Sequence, residues 1–426
     1  MTEPLAAPID VLRANATGGE PEALYRLAVA LVAQHRVEEA FDLHRRAAQA
    51  GHASALIEHA RMLLYGVGTA AQPRVAVEAL LRAEAMQGPG SVVAGYYLAL
   101  VAIGGVALPF DQRVNARVLA AVNAGFPPAL RAAAIHFGRK PDPTDQQRCL
   151  QLLELAASHG DVVAAQLLAE RLAHGEGCDV DAQAAERLRA QLAQQGILPL
   201  PAVSARGVVG PPCQPGTLAL DDALWVAPGR TLAERPRVAV VDDLLSADEC
   251  RLLIASAQPT LKPSQAIDPV TGTPLAMQLR TSSDASFDPL VEDLALRLVQ
   301  LRLASAARAR LIQAEQLTVL RYEPGQEYRP HRDYRPPGSI EHDRAHAGNR
   351  GRTICVYLNE PEAGGETEFP LAGLTIAPRV GSAIVFDNLL PDGNPDLDSL
   401  HAGRPVQRGE KWLATLWLRQ RRYREF

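Results

Sequence analysis

The first part of the chain repeats a short Ala-rich segment that ends in glycine. The repeated glycines are Gly18, Gly51, Gly88, Gly125, Gly160 and Gly196, spaced 33, 37, 37, 35 and 36 residues apart. This period is typical of helix–turn–helix solenoids, in which a helix pair buries its apolar face only by stacking on its neighbours. Small alanines let paired helices approach closely, and glycine ends a helix where φ is positive. The sequence therefore predicts an all-α solenoid over residues 1–196.

Two further glycine-bearing turns in this half narrow the prediction. They read LLYGVG at residues 63–68 and LAHGEG at residues 172–177. With the AAxxG segments, they make this half resemble Sel1-like repeats, a subclass of tetratricopeptide-type solenoids. Such arrays generally serve as protein-binding scaffolds, so the resemblance implies a surface for a partner without naming the partner.

The second half has the pattern of a β-rich domain. Residues 197–235 are rich in Pro and Gly and predict a linker. Residues 238–257 predict a strand followed by a helix with Ser246 as its N-cap. Short β-like runs follow, among them QLTVLRY, GRTICVYLNE and KWLATLWLRQ. Without βαβ alternation, they predict a double-stranded β-helix, or jelly roll, with supporting helices over residues 236–426.

Charge and composition limit the kinds of partner. The chain has 426 residues, with 43 Lys plus Arg against 48 Asp plus Glu. This small acidic excess argues against nucleic acid or an anionic membrane as the main partner. No apolar run approaches the length of a membrane span, no signal peptide is visible, and the five cysteines have no paired spacing. We therefore expect a soluble, cytoplasmic protein.

The motif His331-Arg-Asp333 and the distant His401 carry the chemistry of this half. Residues two apart on a strand point to the same face, so His331 and Asp333 would share one cavity. Two imidazoles and one carboxylate are the ligands of non-haem Fe(II) oxygenases. An HxD pair alone is common by chance and structural in most proteins, so the motif needs support from its surroundings.

Lys411 gives that support. It opens a strongly apolar predicted strand, KWLATLW, ten residues beyond His401. A lysine buried there without an anion would be costly, and the far carboxylate of a bound dicarboxylate would pair with it. A lysine that reaches solvent from the edge of the strand remains the alternative.

These residues belong to a longer set of ordered motifs. The set includes RTS at 280–282, LRYEPGQEYRPHRDY at 320–334, GGETEFP at 364–370, SLHAGRPV at 399–406 and GEKWLATLWL at 409–418. Over residues 238–418 the sequence resembles the prolyl 4-hydroxylase family of Fe(II)/2-oxoglutarate dioxygenases.

The resemblance implies a role for each matching residue. His331, Asp333 and His401 would be the catalytic metal ligands. Lys411, Tyr322 and Thr353 would bind the distal carboxylate of 2-oxoglutarate. Tyr328 and Glu315 correspond to positions that contact the peptide substrate. The cofactors implied are Fe(II), 2-oxoglutarate and O2, with ascorbate left open as a fourth.

The expected reaction is hydroxylation of a prolyl residue in a peptide or protein, with succinate and CO2 as co-products. The repeats would recruit that protein. Two alternatives stay open at this point: a hydroxylase of a free amino acid or small natural product, and a repeat-based adaptor whose oxygenase domain acts as a sensor. The substrate, the stereochemistry and the oligomeric state are not determined by the sequence.

Overall fold

The structure is a computed structural model that describes residues 8–204, 214–264, 266–267, 274–275, 280–287, 292–336, 338–341 and 343–426. The chain divides into two compact units. The first comprises Met1–Ala129 with Pro289–Val291 and Glu425–Phe426, and the second comprises Leu130–Asp288 and Glu292–Arg424. These units reflect which residues contact each other and do not mark where the repeats end. The predicted ends of the repeat array at residue 196 and of the linker at residue 235 therefore stay predictions.

Eleven helices form the repeat array. They are α1 (Ile9–Ala16), α2 (Pro21–Ala33), α3 (Val37–Gln49), α4 (Ala53–Tyr65), α5 (Pro73–Ala85), α6 (Pro89–Ile103), α7 (Arg113–Asn123), α8 (Pro127–Gly138), α9 (Pro143–Ser158), α10 (Val162–His174) and α11 (Ala182–Gln194). Helices α2–α11 make five consecutive pairs. Gly160 after α9 and Gly196 after α11 have φ of 88° and 76°, as expected for glycines that end helices. The solenoid prediction is confirmed.

In the described part of the chain after α11, two further helices and sixteen strands follow. The helices are α12 (Ala247–Ala257) and α13 (Leu294–Ala306). The strands are β1 (Arg230–Glu234), β2 (Arg237–Val241), β3 (Lys262–Pro263), β4 (Ala266–Ile267), β5 (Pro274–Leu275), β6 (Ser283–Ser286), β7 (Thr318–Tyr322), β8 (Tyr328–His331), β9 (Arg350–Tyr357), β10 (Ala363–Gly364), β11 (Thr367–Phe369), β12 (Leu374–Ile376), β13 (Ala383–Asp387), β14 (His401–Gly403), β15 (Val406–Arg408) and β16 (Lys411–Arg419).

The strands form two main antiparallel sheets with a cavity between them. The larger sheet has eight strands in the order β1-β2-β13-β9-β16-β7-β6-β3, and the smaller has four in the order β12-β11-β14-β8. Side chains from both sheets line the cavity. Aromatic and aliphatic residues such as Phe369, Phe386 and Leu320 pack beside it as a buried core. This is the predicted jelly roll, and the fold class is confirmed.

Helix α12 begins with the predicted Ser246 N-cap, which forms a capping box with Glu249. Helix α10 packs against α12 within the second unit, and buried ion pairs join the last repeat helices to the residues that follow them. We name these charges the repeat-end cluster: Arg139, Arg171, Glu176, Asp248, Glu249, Arg251 and Arg302. Every member has an oppositely charged partner, so ion pairs connect the last helices of the array to α12 and α13.

Within the described residues, no single helix is both long and apolar enough to cross a membrane, while the bent pair α7 and α8 meets those two criteria only when taken together.

Candidate active site

The structure brings the three predicted metal ligands together in the lining of the cavity. His331 ends β8 and is the register partner of His401 at the start of β14. Asp333 follows two residues after His331, and its Oδ1 lies 3.6 Å from Nε2 of His331. Its Oδ2 lies 3.8 Å from Nε2 of His401. One ligand atom from each residue falls within 4.8 Å of the other two, which suits a single metal ion.

Backbone carbonyls fix the orientation of both imidazoles. Nδ1 of His331 donates to the carbonyl oxygen of Arg329 at 2.8 Å. Nδ1 of His401 donates to that of Ser399 at 3.0 Å. Because a carbonyl oxygen only accepts, each Nδ1 carries the proton and each Nε2 keeps a free lone pair. The two Nε2 atoms that carry these lone pairs are also the ring nitrogens close to the carboxylate of Asp333.

The charges in this cluster also suit a divalent cation. Burial alone would raise the pKa of Asp333, but His401, His331 and Arg350 together hold it well below its usual range. Burial, with a smaller contribution from His331, lowers the pKa of His401 to about 4, so this imidazole is neutral near pH 7. A carboxylate with imidazole lone pairs beside it is the ligand set that non-haem Fe(II) takes.

Lys411 lies in the same cavity, at the start of β16. Its side chain is only 2% exposed, and Nζ lies 5.4 Å from the ring centres of Tyr322 and Tyr357. Burial lowers the pKa of the amine to about 8, while Cys355 and Glu366 oppose that shift. Among the described residues, no acid lies within ion-pair distance of Nζ. A buried ammonium without an acceptor fits a site for the carboxylate of a bound small molecule.

Tyr322 and a residue not predicted from sequence flank this lysine. Tyr322 lines the cavity and is the register partner of Lys411. Thr367 also lines the cavity, and it pairs with Gly403, whose Cβ position would lie 3.9 Å from Nζ of Lys411. The hydroxyl of Thr367 accepts a hydrogen bond from Tyr357 at 2.7 Å and retains its own proton for a ligand.

The structure places Thr353 elsewhere than the sequence prediction did. The residue is fully buried in β9 and is not among the residues that line the cavity. Its hydroxyl donates to Oδ2 of Asp333 at 2.7 Å, and a single proton cannot also serve a distant carboxylate. The 2-oxoglutarate role of Thr353 therefore stays a prediction: the structure shows its hydroxyl in contact with a metal ligand, while Thr367 lies on the strand paired with Gly403.

The two predicted substrate residues also differ in position. Tyr328 lines the cavity and stacks on His331, with ring centroids 3.4 Å apart. Glu315 is buried outside the cavity lining, and Arg350 donates to both of its oxygens at 2.7 Å. Arg419 pairs with it as well. Both oxygens of Glu315 are thus occupied by guanidinium groups, and its predicted contact with the substrate stays a prediction.

Two residues that line the cavity, Arg280 and Trp417, were given no role from the sequence. Arg280 lines the cavity, lies 5.5 Å above the ring of Tyr328 and pairs with Asp284. Trp417 lines the cavity under the guanidinium of Arg350, which is 4.0 Å from its ring centre. Every second residue of a strand points to the same face. Trp417 is six residues after Lys411, so the sequence could have placed both side chains on the cavity side of the strand.

Comparison with known proteins gives a family for this half. Residues 317–419 match the model of the 2OG-Fe(II) oxygenase superfamily. Probable prolyl 4-hydroxylase 10 of Arabidopsis thaliana is 34% identical over an alignment of 219 residues, and the match covers 47% of this chain and 73% of that protein. Prolyl 4-hydroxylase 1 of the same plant is 36% identical over an alignment of 206 residues, and the match covers 44% of this chain and 70% of that protein.

Two solved structures resemble separate halves of the chain. The viral collagen prolyl hydroxylase of Paramecium Bursaria Chlorella virus-1, in its 2OG complex, is 30% identical over 43% of this chain and 95% of its own, with a TM-score of 0.34. A Sel1 repeat protein from Oxalobacter formigenes is 20% identical over 42% of this chain and 74% of its own, with a TM-score of 0.35. With the plant relatives matched over most of their length, the chain belongs to the prolyl 4-hydroxylase family of 2-oxoglutarate- and Fe(II)-dependent dioxygenases.

Proposed function

We propose that this dioxygenase hydroxylates a prolyl residue in a peptide or protein, with 2-oxoglutarate converted to succinate and CO2. The observation that carries the proposal is one cavity lined by two complementary groups. One is the cluster of His331, Asp333 and His401, and the other is Lys411, which has no acid partner among the described residues. A metal would complete the first group and a dicarboxylate the second.

The residues have separate roles in this proposal. His331, Asp333 and His401 would hold Fe(II), which when bound supplies the O2-dependent oxidative chemistry. Lys411 would hold the far carboxylate of 2-oxoglutarate, with the hydroxyls of Tyr322 and Thr367 beside it. Because these three residues are buried, each hydrogen bond to the carboxylate is shielded from water.

Three wall residues would receive the peptide. Tyr328 and Trp417 present aromatic side chains to the cavity, and Arg280 adds a guanidinium. Aromatic-lined grooves suit Pro-rich segments, because the extended proline helix is already ordered before binding. Tyr328 also stacks on His331, so a peptide on this wall would lie beside the proposed metal.

The test is to incubate the full-length protein with Fe(II), 2-oxoglutarate, O2 and a panel of Pro-rich peptides. We expect succinate release together with one added oxygen atom on a proline, located by mass spectrometry. A matched peptide with that proline changed to alanine is the control. Modification of free proline or of a small natural product, with every peptide left unmodified, would contradict the proposal.

We further propose that the repeats recruit a protein substrate, as the likeness to Sel1 repeats suggests. Binding away from the modified proline raises its local concentration to about millimolar for a short span. The KM for a substrate protein should then be about tenfold or more below that for its isolated proline-containing peptide. Equal KM values for the two would contradict recruitment.

Cytoplasmic location and the use of ascorbate, both expected from the sequence, stay proposals. Cell fractionation tests the first. The second is tested by following turnover with and without ascorbate over many catalytic cycles, where we expect activity to decay faster without it. Activity that is the same in both conditions would remove ascorbate from the cofactors.

A further inference from the structure

A chain of two hydrogen bonds connects the carboxylate of Asp333 to the interior of the larger sheet. The hydroxyl of Thr353 donates to Oδ2 of Asp333 at 2.7 Å. The side-chain amide of Asn388 donates from Nδ2 to the hydroxyl oxygen of Thr353 at 2.9 Å. Neither Thr353 nor Asn388 has any exposed surface, and Asp333 is 7% exposed. Such a polar chain inside a protein has no water to replace its bonds.

The direction of the chain is fixed by its two ends. An amide nitrogen can only donate, and an ionised carboxylate can only accept. The hydroxyl of Thr353 therefore accepts from Asn388 and points its single proton at Asp333. A donor aimed at one oxygen prevents the carboxylate from rotating about its Cβ–Cγ bond.

Both donors are anchored in the backbone of the larger sheet. Thr353 lies in β9, between its register partners Phe386 in β13 and Trp417 in β16. The N–H of Asn388 donates to the carbonyl of Gly351 at 2.9 Å, and its carbonyl accepts from the N–H of Asp396 at 3.0 Å. The two histidines lie on the smaller sheet, in β8 and β14. The chain thus ties the third ligand to the opposite sheet.

We propose that Thr353 and Asn388 are positioning residues that hold the Asp333 carboxylate in the orientation required for metal binding. Residues that hydrogen-bond to metal ligands typically change metal affinity by about 10–100-fold. The pair would act on the metal through Asp333, without contact to the metal or to 2-oxoglutarate. The inference rests on the proposed metal site.

The test measures metal affinity and not turnover. Full-length protein is titrated with Co(II), and binding is followed by visible absorption. We expect Thr353→Val, which keeps the shape and removes the hydroxyl, to weaken Co(II) binding by about 10–100-fold. Thr353→Ser restores the hydroxyl and should recover most of the affinity. Asn388→Leu should give a smaller loss in the same direction.

A matched control comes from another buried threonine of the same sheet. Thr318 in β7 is 4% exposed, and its hydroxyl pairs with Ser286 and not with a ligand. Thr318→Val should bind Co(II) like the unmodified protein. Equal affinity in Thr353→Val and the unmodified protein would overturn the proposal, as would equally weak binding by Thr353→Val and Thr353→Ser.

Two further outcomes keep the test decisive. If Thr353→Val does not fold, Asn388→Leu decides, since it leaves Thr353 in place, and undiminished Co(II) affinity in that variant overturns the proposal. If the unmodified protein binds no Co(II), the metal site itself is wrong, and that result is distinct from failure of the positioning pair.

Discussion

The second unit buries two groups of charges that differ in one respect. In the repeat-end cluster, Arg171 pairs with Asp248, and Arg251 pairs with Glu176. In the active site, Lys411 has no acid partner among the described residues. Taking charges out of water is costly unless each one finds a partner. A buried cluster in which every charge has a partner therefore indicates a structural role. A buried charge without a partner indicates a place for a ligand.

The comparison predicts opposite effects on stability and activity in the two clusters. Removing a partner from the complete cluster should destabilise the fold. Removing a charge from the incomplete cluster should leave the fold intact and abolish binding or turnover. The following substitutions test this, in order of decreasing effect.

Asp333→Ala should give the largest effect. Loss of a metal ligand removes several kcal/mol of transition-state stabilisation, so turnover should fall by about a thousand-fold or more. The protein should still fold cooperatively, with a lower urea midpoint, because the ionised carboxylate and its hydrogen bond from Thr353 are lost. Peptide hydroxylation and urea unfolding are the measurements. His331→Ala should behave alike, and full activity with iron still bound in either variant would remove these residues from the metal site.

Arg171→Met should show the reverse behaviour. It leaves Asp248 buried beside one remaining arginine, Arg251, at 3.2 Å. Breaking a buried ion pair costs about 3–5 kcal/mol of unfolding free energy. Urea unfolding followed by tryptophan fluorescence measures this loss.

The control for that variant is an exposed ion pair of the same unit. Arg404 and Glu368 have side chains that are 50% and 30% exposed. Arg404→Met should cost no more than about 1 kcal/mol, because solvent screens such pairs. An equal loss in the two variants would show that the repeat-end cluster is not special.

Lys411→Met should weaken 2-oxoglutarate binding without destabilising the protein. Loss of one partner of a buried charge pair costs about 2–5 kcal/mol, which corresponds to a 30-fold or greater rise in the dissociation constant. The ligand-free protein should be as stable as before or more so, since an unpaired buried charge is removed. Calorimetric titration and urea unfolding measure both. Unchanged 2-oxoglutarate affinity would assign the carboxylate to another cation, with Arg280 the first to test.

The smallest effect is a dependence on pH. The pKa of Lys411 is about 8, and only the protonated amine attracts a carboxylate. Burial raises the pKa of neighbouring Cys355 to about 12 and that of Tyr322 further, so both stay neutral below that range. The affinity for 2-oxoglutarate should thus be constant below pH 8 and fall by up to about tenfold per pH unit above it.

The stability of the ligand-free protein changes with pH in the opposite direction. The ordinary pKa of the amine is 10.5, so between pH 8 and 10.5 the unfolded chain binds more protons than the ligand-free folded protein. Stability from this group therefore rises with pH in that window. Lys411→Met should remove both pH effects. A 2-oxoglutarate affinity that still falls above pH 8 in this variant would assign the titration to another group.

Local patterns in the sequence were sufficient for much of this description. The glycine period predicted the helix pairs, Ser246 predicted the start of α12, and HxD with His401 and Lys411 predicted a cluster that the structure brings together. These features depend on backbone conformation and on the alternation of residues along a strand, which neighbouring residues decide.

The assignments of Thr353 and Glu315 could not be made in this way. Thr353 and Thr367 both lie in short β-like segments, and only the pairing of β11 with β14 brings Thr367 next to Gly403, which lies close to Lys411. The sequence gives no sign that Glu315 is paired, yet Arg350 and Arg419, distant along the chain, occupy its oxygens. Long-range strand pairing decides both outcomes.

The sequence by itself determined the repeat array, the jelly roll and the chemical character of the site, because those follow from periodicity and from residue types at short spacing. Only the tertiary structure decided which buried charges have an oppositely charged partner. Arg171 and Asp248 resemble ordinary surface charges of amphipathic helices, and folding buries them against each other. Lys411 is buried by the same process without a partner, since no acid from another strand meets it among the described residues. Pairing across distant segments has no local signal in a single sequence.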